Sequence, residues 1–360
     1  MLGLSQHARN RNAKERPAMK PLRLAACMLI VAPMAAVAAP PIAFQTTFDS
    51  IGPAVQALPG PGGRTIHFAD TGEAGWRPVL YIGGTGTSAR AFLMTGYLET
   101  LRRQLRLRLI SVERNGFGDT AFDPGWGFTD YVAQVRAVLN HLRIGRFAMV
   151  AISGGGPYAG HIAASLPDRL ISLHFAAALA DVRGSGDALC KASPEAAAKA
   201  LAPAVQNPQA WWAFPAASPT HAIPGFAERA QDEGARTFFI RGQMGDPRPE
   251  AAEMQRYCSD RLPDLRAVRA PVFTYYGSAD PLVVPENGAH WRAAIAGPAT
   301  ARSYPGEGHD VQYRHWDQIL IDLAGYGPRE LVCRAGKSVL TATPRLDEPR
   351  GLCLWRTARR

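Results

Sequence analysis

The stretch MVAISGGGPYAGHIAASLPDRL, residues 149–170, decides the fold of this chain. An apolar run leads into Ser153, which is followed by three glycines, a proline and a helical pattern. Glycine allows crowded or left-handed backbone that other residues resist. A serine between a buried strand and such a turn is either an ordinary turn residue or a nucleophile raised on a sharp bend.

The composition is that of a folded globular protein. The chain has 360 residues, of which 47% are apolar and 19% charged, enough to bury a full core. The formal net charge of +10 comes from the two ends, since residues 1–38 and 328–360 each carry +5 and residues 39–327 are neutral. A neutral body does not indicate a nucleic-acid groove, and we expect no nucleic-acid partner.

The N-terminal segment has the pattern of a secretory signal peptide. The basic residues of MKPLR precede an apolar stretch of about sixteen residues and an A-x-A site at residues 36–38. A membrane anchor is the alternative, but the apolar run is shorter than the roughly 20 residues that span a bilayer, and it contains Pro33. We therefore predict a leader over residues 1–38, with Met19 as an alternative start. The mature protein is then periplasmic or secreted, with no membrane partner.

Removal of the leader takes Cys27 with it and leaves four cysteines, Cys190, Cys258, Cys333 and Cys353. An even number in an exported protein allows disulfides, with three possible connectivities. Pairing nearest neighbours gives Cys190–Cys258 and Cys333–Cys353. Four free buried thiols are the alternative.

Apolar strands alternate with amphipathic helices over residues 39–180, the first part of the predicted core. Strands are predicted at 64–70, 107–114, 147–153 and 169–180, a strand that runs into a glycine loop at 77–88, and a helix at 128–144. This alternation predicts an α/β protein with a mostly parallel, doubly wound sheet that helices cover on both faces.

The alternation stops at residue 181. Residues 181–268 are rich in Ala and Pro, with helical patches and no clear strand, and we predict that they form a helical cap. The second part of the core, residues 269–327, adds a strand at 270–280, a strand and loop at 299–310 and a helix at 311–327. The tail, residues 328–360, is β-rich: ELVCRAGKSVLTATP and RGLCLWR predict two or three short strands, with a hairpin pinned by a disulfide.

The residues around Ser153 fit a nucleophile elbow, which needs small neighbours on both sides of the serine. Here they are Ala151 and Gly155, in the pattern A-x-S-x-G. A serine hydroxyl also needs a base that is itself oriented by an acid. Asp280 follows one later strand in YYGSADPLV, and His309 follows the next in YPGEGHD.

The carboxyl ends of parallel strands meet at one edge of a sheet, so these three side chains are expected to converge there. Asp280 would orient His309, which would take the proton of Ser153. Asp181, at the end of the preceding strand, is the alternative acid. For the developing oxyanion we predict two backbone donors, the amides of Gly154 and Thr85.

Five motifs occur in the order YIGGTGTS, ERNGFGDT, AISGGGPYAG, YYGSADPLVVPE and YPGEGHD. In this order they resemble the α/β-hydrolase superfamily, over residues 64–327 without the cap. The resemblance implies that fold, and it implies a role for each matching residue: Ser153 as nucleophile, Asp280 as acid, His309 as base, and Gly154 with Thr85 as oxyanion hole. Gly83 and Gly84 depart from the family's common His-Gly, and the cap matches no particular subfamily.

Together these features predict an exported serine hydrolase that cleaves a carboxylic ester of a small molecule through an acyl-enzyme on Ser153. We expect no cofactor and no metal. The alternatives are an amide hydrolase similar to the prolyl aminopeptidases and a non-catalytic binding protein on the same scaffold. Three aromatic residues are predicted to contact substrate or, alternatively, only to pack: Tyr158, Trp211 and Trp212.

Overall fold

The structure, a computed structural model, describes residues 53–180, 188–206 and 245–353. Within these ranges the strands are β1 (Gln56–Pro59), β2 (Thr65–Asp70), β3 (Arg77–Ile82), β4 (Leu107–Val112), β5 (Phe147–Ile152), β6 (Leu170–Ala176), β7 (Val272–Gly277), β8 (Ala299–Tyr304), β9 (Glu330–Arg334) and β10 (Lys337–Thr341). The helices are α1 (Glu99–Gln104), α2 (Phe128–His141), α3 (Gly156–Ser165), α4 (Ala188–Lys191), α5 (Pro194–Gln206), α6 (Arg248–Ser259), α7 (Glu286–Ala294), α8 (Val311–Arg314) and α9 (Trp316–Leu323).

Eight strands form one sheet in the order β1-β2-β4-β3-β5-β6-β7-β8. The strands from β4 to β8 in this order are parallel, and β1 and β2 are antiparallel at one edge. The predicted mostly parallel sheet is therefore confirmed, and β1 is an addition to it. The carboxyl ends of β3, β5, β7 and β8 lie at the same edge, where the predicted catalytic residues follow them.

The central strands are buried on both faces. Along β3, Val79 and Tyr81 belong to one hydrophobic cluster, and Leu80 and Ile82 belong to the other. Successive side chains of a strand point to opposite faces, so this division means that both faces are covered. Helices α2, α3 and α7 supply apolar side chains to one cluster, and α9 and the 3-10 helix Ala89–Leu98 supply them to the other.

The described parts of residues 181–268, the predicted cap, contain α4, α5 and α6. Helix α6 packs against both α4 and α5. Cys190 on α4 and Cys258 on α6 lie at disulfide distance, with their Cα atoms 5.5 Å apart. Residues 207–244 lie outside the described residues, and the boundaries of the cap stay a prediction.

Strands β9 and β10 form the antiparallel hairpin expected in the tail, and Cys333 and Cys353 lie at disulfide distance, with their Cα atoms 4.7 Å apart. Of the two or three short strands predicted in the tail, the described residues form β9 and β10, and the described part of RGLCLWR forms no third strand. It is reduced to one bridge between Val332 and Arg350, because Gly351 turns the chain out of extended conformation with a φ of 91°.

The single helix predicted over residues 311–327 is divided into α8 and α9. The break is at His315, whose φ of −115° and ψ of 24° are not helical. The ring of His315 stacks on Tyr304, with ring centroids 3.6 Å apart, and its Nε2 atom lies 2.8 Å from a carboxylate oxygen of Glu307. These two contacts account for the interruption of the helix.

Buried side chains of α9 hold the tail. Asp317 accepts a hydrogen bond from the backbone amide of Leu352 at 2.8 Å. Gln318 accepts one from the amide of Leu331 at 2.7 Å and donates one to the carbonyl of Arg329 at 3.1 Å. Since buried polar groups are costly when unpaired, the tail and α9 stabilise each other.

Candidate active site

Ser153 lies on a sharp bend between β5 and α3. It follows the last residue of β5 and begins the 3-10 turn Ser153–Gly155. Its φ of 49° lies in the left-handed region, which costs a non-glycine residue about 1–2 kcal/mol. A Cβ atom added at Gly155 would lie 2.7 Å from the carbonyl oxygens of Ile82 and Gly83, so only glycine fits where strand and helix pass this closely. This is the geometry of a nucleophile elbow.

The three side chains predicted to act together do converge. The Oγ atom of Ser153 lies 3.0 Å from Nε2 of His309, and Nδ1 of His309 lies 2.8 Å from Oδ2 of Asp280. The Asp280 side chain is fully buried, and that of His309 is 23% exposed. The order serine, imidazole, carboxylate is the one that activates a hydroxyl nucleophile.

The second oxygen of Asp280 fixes the orientation of the carboxylate. Its Oδ1 atom accepts hydrogen bonds from the backbone amides of Leu282 at 2.8 Å and Val283 at 2.9 Å. Oδ2 is left to accept the Nδ1–H of His309, which makes Nε2 the unprotonated nitrogen that faces Ser153. The network therefore selects the tautomer that a general base requires.

The loops that carry Asp280 and His309 are joined to each other. The amide of Ala279 donates to the carbonyl of Glu307 at 2.9 Å, and the amide of Gly306 donates to Oγ of Ser278 at 2.8 Å. Burial raises the pKa of Glu307, but the hydrogen bond from His315 and the nearby positive charges outweigh it and hold the pKa below its usual value. Glu307 thus stays ionised, and its contact with His315 connects the loop that carries His309 to the break between α8 and α9.

The predicted oxyanion loop, residues 83–88, runs beside the elbow. A Cβ atom at Gly84 would lie 3.2 Å from Cβ of Ser153, and a Cβ atom at Gly154 would collide with the hydroxyl of Thr85. The loop turns back on itself through a hydrogen bond from the Thr87 hydroxyl to the carbonyl of Gly84 at 2.7 Å. Thr85 therefore lies against Gly154, the residue that would supply the other backbone donor.

A family model of the alpha/beta hydrolase family matches residues 79–330, more than half of the chain. The chain belongs to the alpha/beta hydrolase family. No curated protein matches the sequence.

Solved structures of similar fold cover about three quarters of this hydrolase. The esterase RhEst1 from Rhodococcus sp. ECU1013 has a TM-score of 0.56 and 19% identity, covering 76% of this chain and 99% of its own. A thermophilic esterase from Thermogutta terrifontis has a TM-score of 0.56 and 18% identity, covering 76% and 97%. The enol-lactonase from Burkholderia xenovorans LB400 has a TM-score of 0.56 and 18% identity, covering 74% and 99%. At these identities the likeness shows the shared fold.

The structure also reveals charged residues that the sequence reasoning missed. Glu113 and Arg114, directly after β4, are buried beside the predicted oxyanion loop. Glu113 accepts a hydrogen bond from the amide of Ala89 at 2.6 Å, and burial raises the pKa of its carboxyl to about 8. Arg114 pairs with Glu253 of α6 at 2.9 Å. The signal in the sequence was the motif ERNGFGDT, in which both residues end the strand predicted over 107–114, just before a turn.

The three aromatic residues predicted to contact substrate have different outcomes. Tyr158 is 4% exposed, and its ring packs edge-on against Phe128 and Tyr131, with centroids 4.8 and 4.9 Å away. It therefore lies in the core behind the elbow. Trp211 and Trp212 lie outside the described residues, as does Asp181, the alternative acid.

Two further properties concern the described residues only. In them, no group of three or more His, Cys, Asp or Glu side chains is arranged to hold a metal ion. Among the helices of residues 53–180, 188–206 and 245–353, none has the length and apolarity needed to cross a bilayer.

Proposed function

We propose that this alpha/beta hydrolase is an exported serine esterase, which forms an acyl-enzyme on Ser153. The observation that carries the proposal is the unbroken chain of contacts from Ser153 to His309 at 3.0 Å and from His309 to Asp280 at 2.8 Å. Each distance is within the range that proton transfer or orientation requires.

The reaction would proceed in two halves. His309 takes the proton of Ser153 as Oγ attacks the ester carbonyl, and the resulting oxyanion accepts hydrogen bonds from the backbone amides of Gly154 and Thr85. The imidazolium then gives this proton to the departing alcohol, leaving the acyl group on Ser153. Water, deprotonated by His309, attacks the acyl-enzyme, and Oγ leaves with the proton restored.

The preference for an ester is supported by the similar solved structures, which include two esterases and an enol-lactonase. Export is supported by the signal-peptide pattern over residues 1–38 and by two cysteine pairs at disulfide distance, since disulfides persist in oxidising compartments.

The test combines a covalent probe with substrate turnover. A fluorophosphonate should label the wild type at Ser153 alone, and Ser153→Ala should lose labelling and about 10⁴-fold or more of the ester turnover with an unchanged circular dichroism spectrum. Turnover should be measured on p-nitrophenyl esters graded by acyl length, with one aminoacyl amide included.

The possible results separate the alternatives. Turnover of the amide but not of the esters would favour an amide hydrolase. No labelling and no turnover by the folded wild type would favour a binding protein and overturn the proposal.

A further inference from the structure

A buried ion pair joins the end of β4 to α6, next to the candidate active site. Arg114 Nη1 and a carboxylate oxygen of Glu253 are 2.9 Å apart, and their side chains are 3% and 2% exposed. Neither residue touches Ser153, Asp280 or His309 in the contacts described above. Removing two charges from water is costly, and their attraction offsets that cost only with good geometry and further hydrogen bonds. The further partners of the pair therefore indicate what it does.

Three of those partners are backbone groups of the predicted oxyanion loop, and the side chains of Tyr158, Tyr257 and Thr87 also hydrogen-bond the pair. Arg114 Nη2 donates to the carbonyl of Gly84 at 2.5 Å and to that of Thr87 at 3.2 Å. Glu253 Oε2 accepts the amide of Gly86 at 3.3 Å. The two members of the pair thus hold peptide groups on both sides of Thr85.

A second residue of α6 touches the same place. Tyr257 is four residues after Glu253, so the two side chains share one face of the helix. Its hydroxyl lies 3.4 Å from Oγ1 of Thr85, and a Cβ atom at Gly154 would lie 2.7 Å from that hydroxyl. Helix α6 therefore contacts both residues that would supply the oxyanion donors.

We propose that Arg114 and Glu253 are positioning residues, which hold the oxyanion loop so that the amide of Thr85 points at the reacting carbonyl oxygen beside Ser153. This inference rests on the proposed function. It makes α6, a helix of the predicted cap, a part of the scaffold that positions the oxyanion loop. Cys258, next to Tyr257, lies at disulfide distance from Cys190 and so joins α6 to α4.

Two variants separate the two halves of the pair. Arg114→Lys keeps a positive charge, but an ammonium has one nitrogen, whereas the guanidinium faces Glu253 through Nη1 and the two carbonyls through Nη2. Glu253→Gln keeps an oxygen for the amide of Gly86 but removes the charge that Arg114 faces. A matched control is Arg302→Lys, because Arg302 forms another buried ion pair, with Asp322 at 2.6 Å and side-chain exposures of 4% and 0%, between β8 and α9.

We expect each of the two loop variants to lower kcat by roughly ten- to a hundredfold with KM changed less than about threefold, because an oxyanion contact strengthens in the transition state. The affinity for a phenylboronic acid should fall in parallel, because its tetrahedral adduct places an oxygen in the same position. Arg302→Lys should lower the melting temperature and leave kcat and boronate affinity unchanged.

The outcomes distinguish this inference from the proposed function. If the wild type turns over esters and both folded loop variants keep kcat within about twofold, the positioning role is wrong and the proposed function stands. If Arg302→Lys loses as much kcat as they do, the effect is general destabilisation and the positioning role is again wrong. Should Arg114→Lys fail to fold, Glu253→Gln alone decides. A wild type without ester turnover overturns both.

Discussion

Replacing Asp280 with asparagine tests the tautomer that the site geometry selects. In the wild type, Oδ1 accepts two backbone amides at 2.8 and 2.9 Å, and Oδ2 faces Nδ1 of His309 at 2.8 Å. In Asp280→Asn the amide oxygen should keep the two backbone donors, which turns the NH₂ group toward His309. The imidazole must then carry its proton on Nε2, where it cannot accept the proton of Ser153.

The size of the effect follows from the cost of turning the amide over. The flipped amide loses both buried hydrogen bonds and places its NH₂ group against the two backbone donors. The flipped state is therefore higher in free energy by about 4 kcal/mol, so on the order of one molecule in a thousand would be active. The loss of a charge-assisted hydrogen bond to the imidazolium adds about a further tenfold. We therefore expect kcat/KM for a p-nitrophenyl ester to fall about 10⁴-fold.

The assay compares Asp280→Asn with Asp181→Asn, the variant of the alternative acid, in steady-state kinetics and thermal melting. Asp181→Asn should stay within about threefold of the wild type. The reasoning fails if a folded Asp280→Asn keeps more than a tenth of wild-type kcat/KM, and the role of the acid moves to Asp181 if that variant carries the loss.

Two further predictions concern stability. Burial raises the pKa of Glu113 from 4.5 to about 8, so the folded state holds a proton that the unfolded chain has released, and the free energy of unfolding should fall by at most about 1.4 kcal/mol per pH unit between these two values. Urea unfolding at pH 5 and pH 8 should show this loss of unfolding free energy in the wild type and a smaller loss in Glu113→Gln. An equal loss in the two proteins would contradict the prediction. Replacing Cys333 and Cys353 together with serine should lower the free energy of unfolding by about 3 kcal/mol, since their separation is 20 residues. Mass spectrometry of the exported wild type without reductant should find no alkylatable thiol among the four cysteines, and four alkylated thiols would refute both bridges.

The sheet and the convergence of the site could be predicted because their signals are local. Ser153, Asp280 and His309 each follow an apolar strand directly, and parallel strands bring such positions to one edge. The short strand β1 carries no such signal, since its four residues, QALP, end in proline and form no extended alternation.

The ion pair of Arg114 and Glu253 could not be found in this way. Glu253 accepts the amide of Gly86 across 167 positions of sequence, and helical periodicity says which face a residue lies on without saying what that face meets. Tyr158 illustrates the same limit, because proximity to the elbow in sequence did not reveal that its side chain is directed into the core.

The hydrogen bonds between α9 and the tail have a consequence for biosynthesis. A ribosome adds residues 329–352 after Asp317 and Gln318, yet these later residues contain the backbone groups that satisfy both side chains. Without residues 329–352, Asp317 and Gln318 keep their hydrogen bonds within α9 but lose those to the tail, and the layer containing α9 cannot reach its final packing. Folding of that layer thus requires the chain up to the last of these partners, the backbone amide of Leu352.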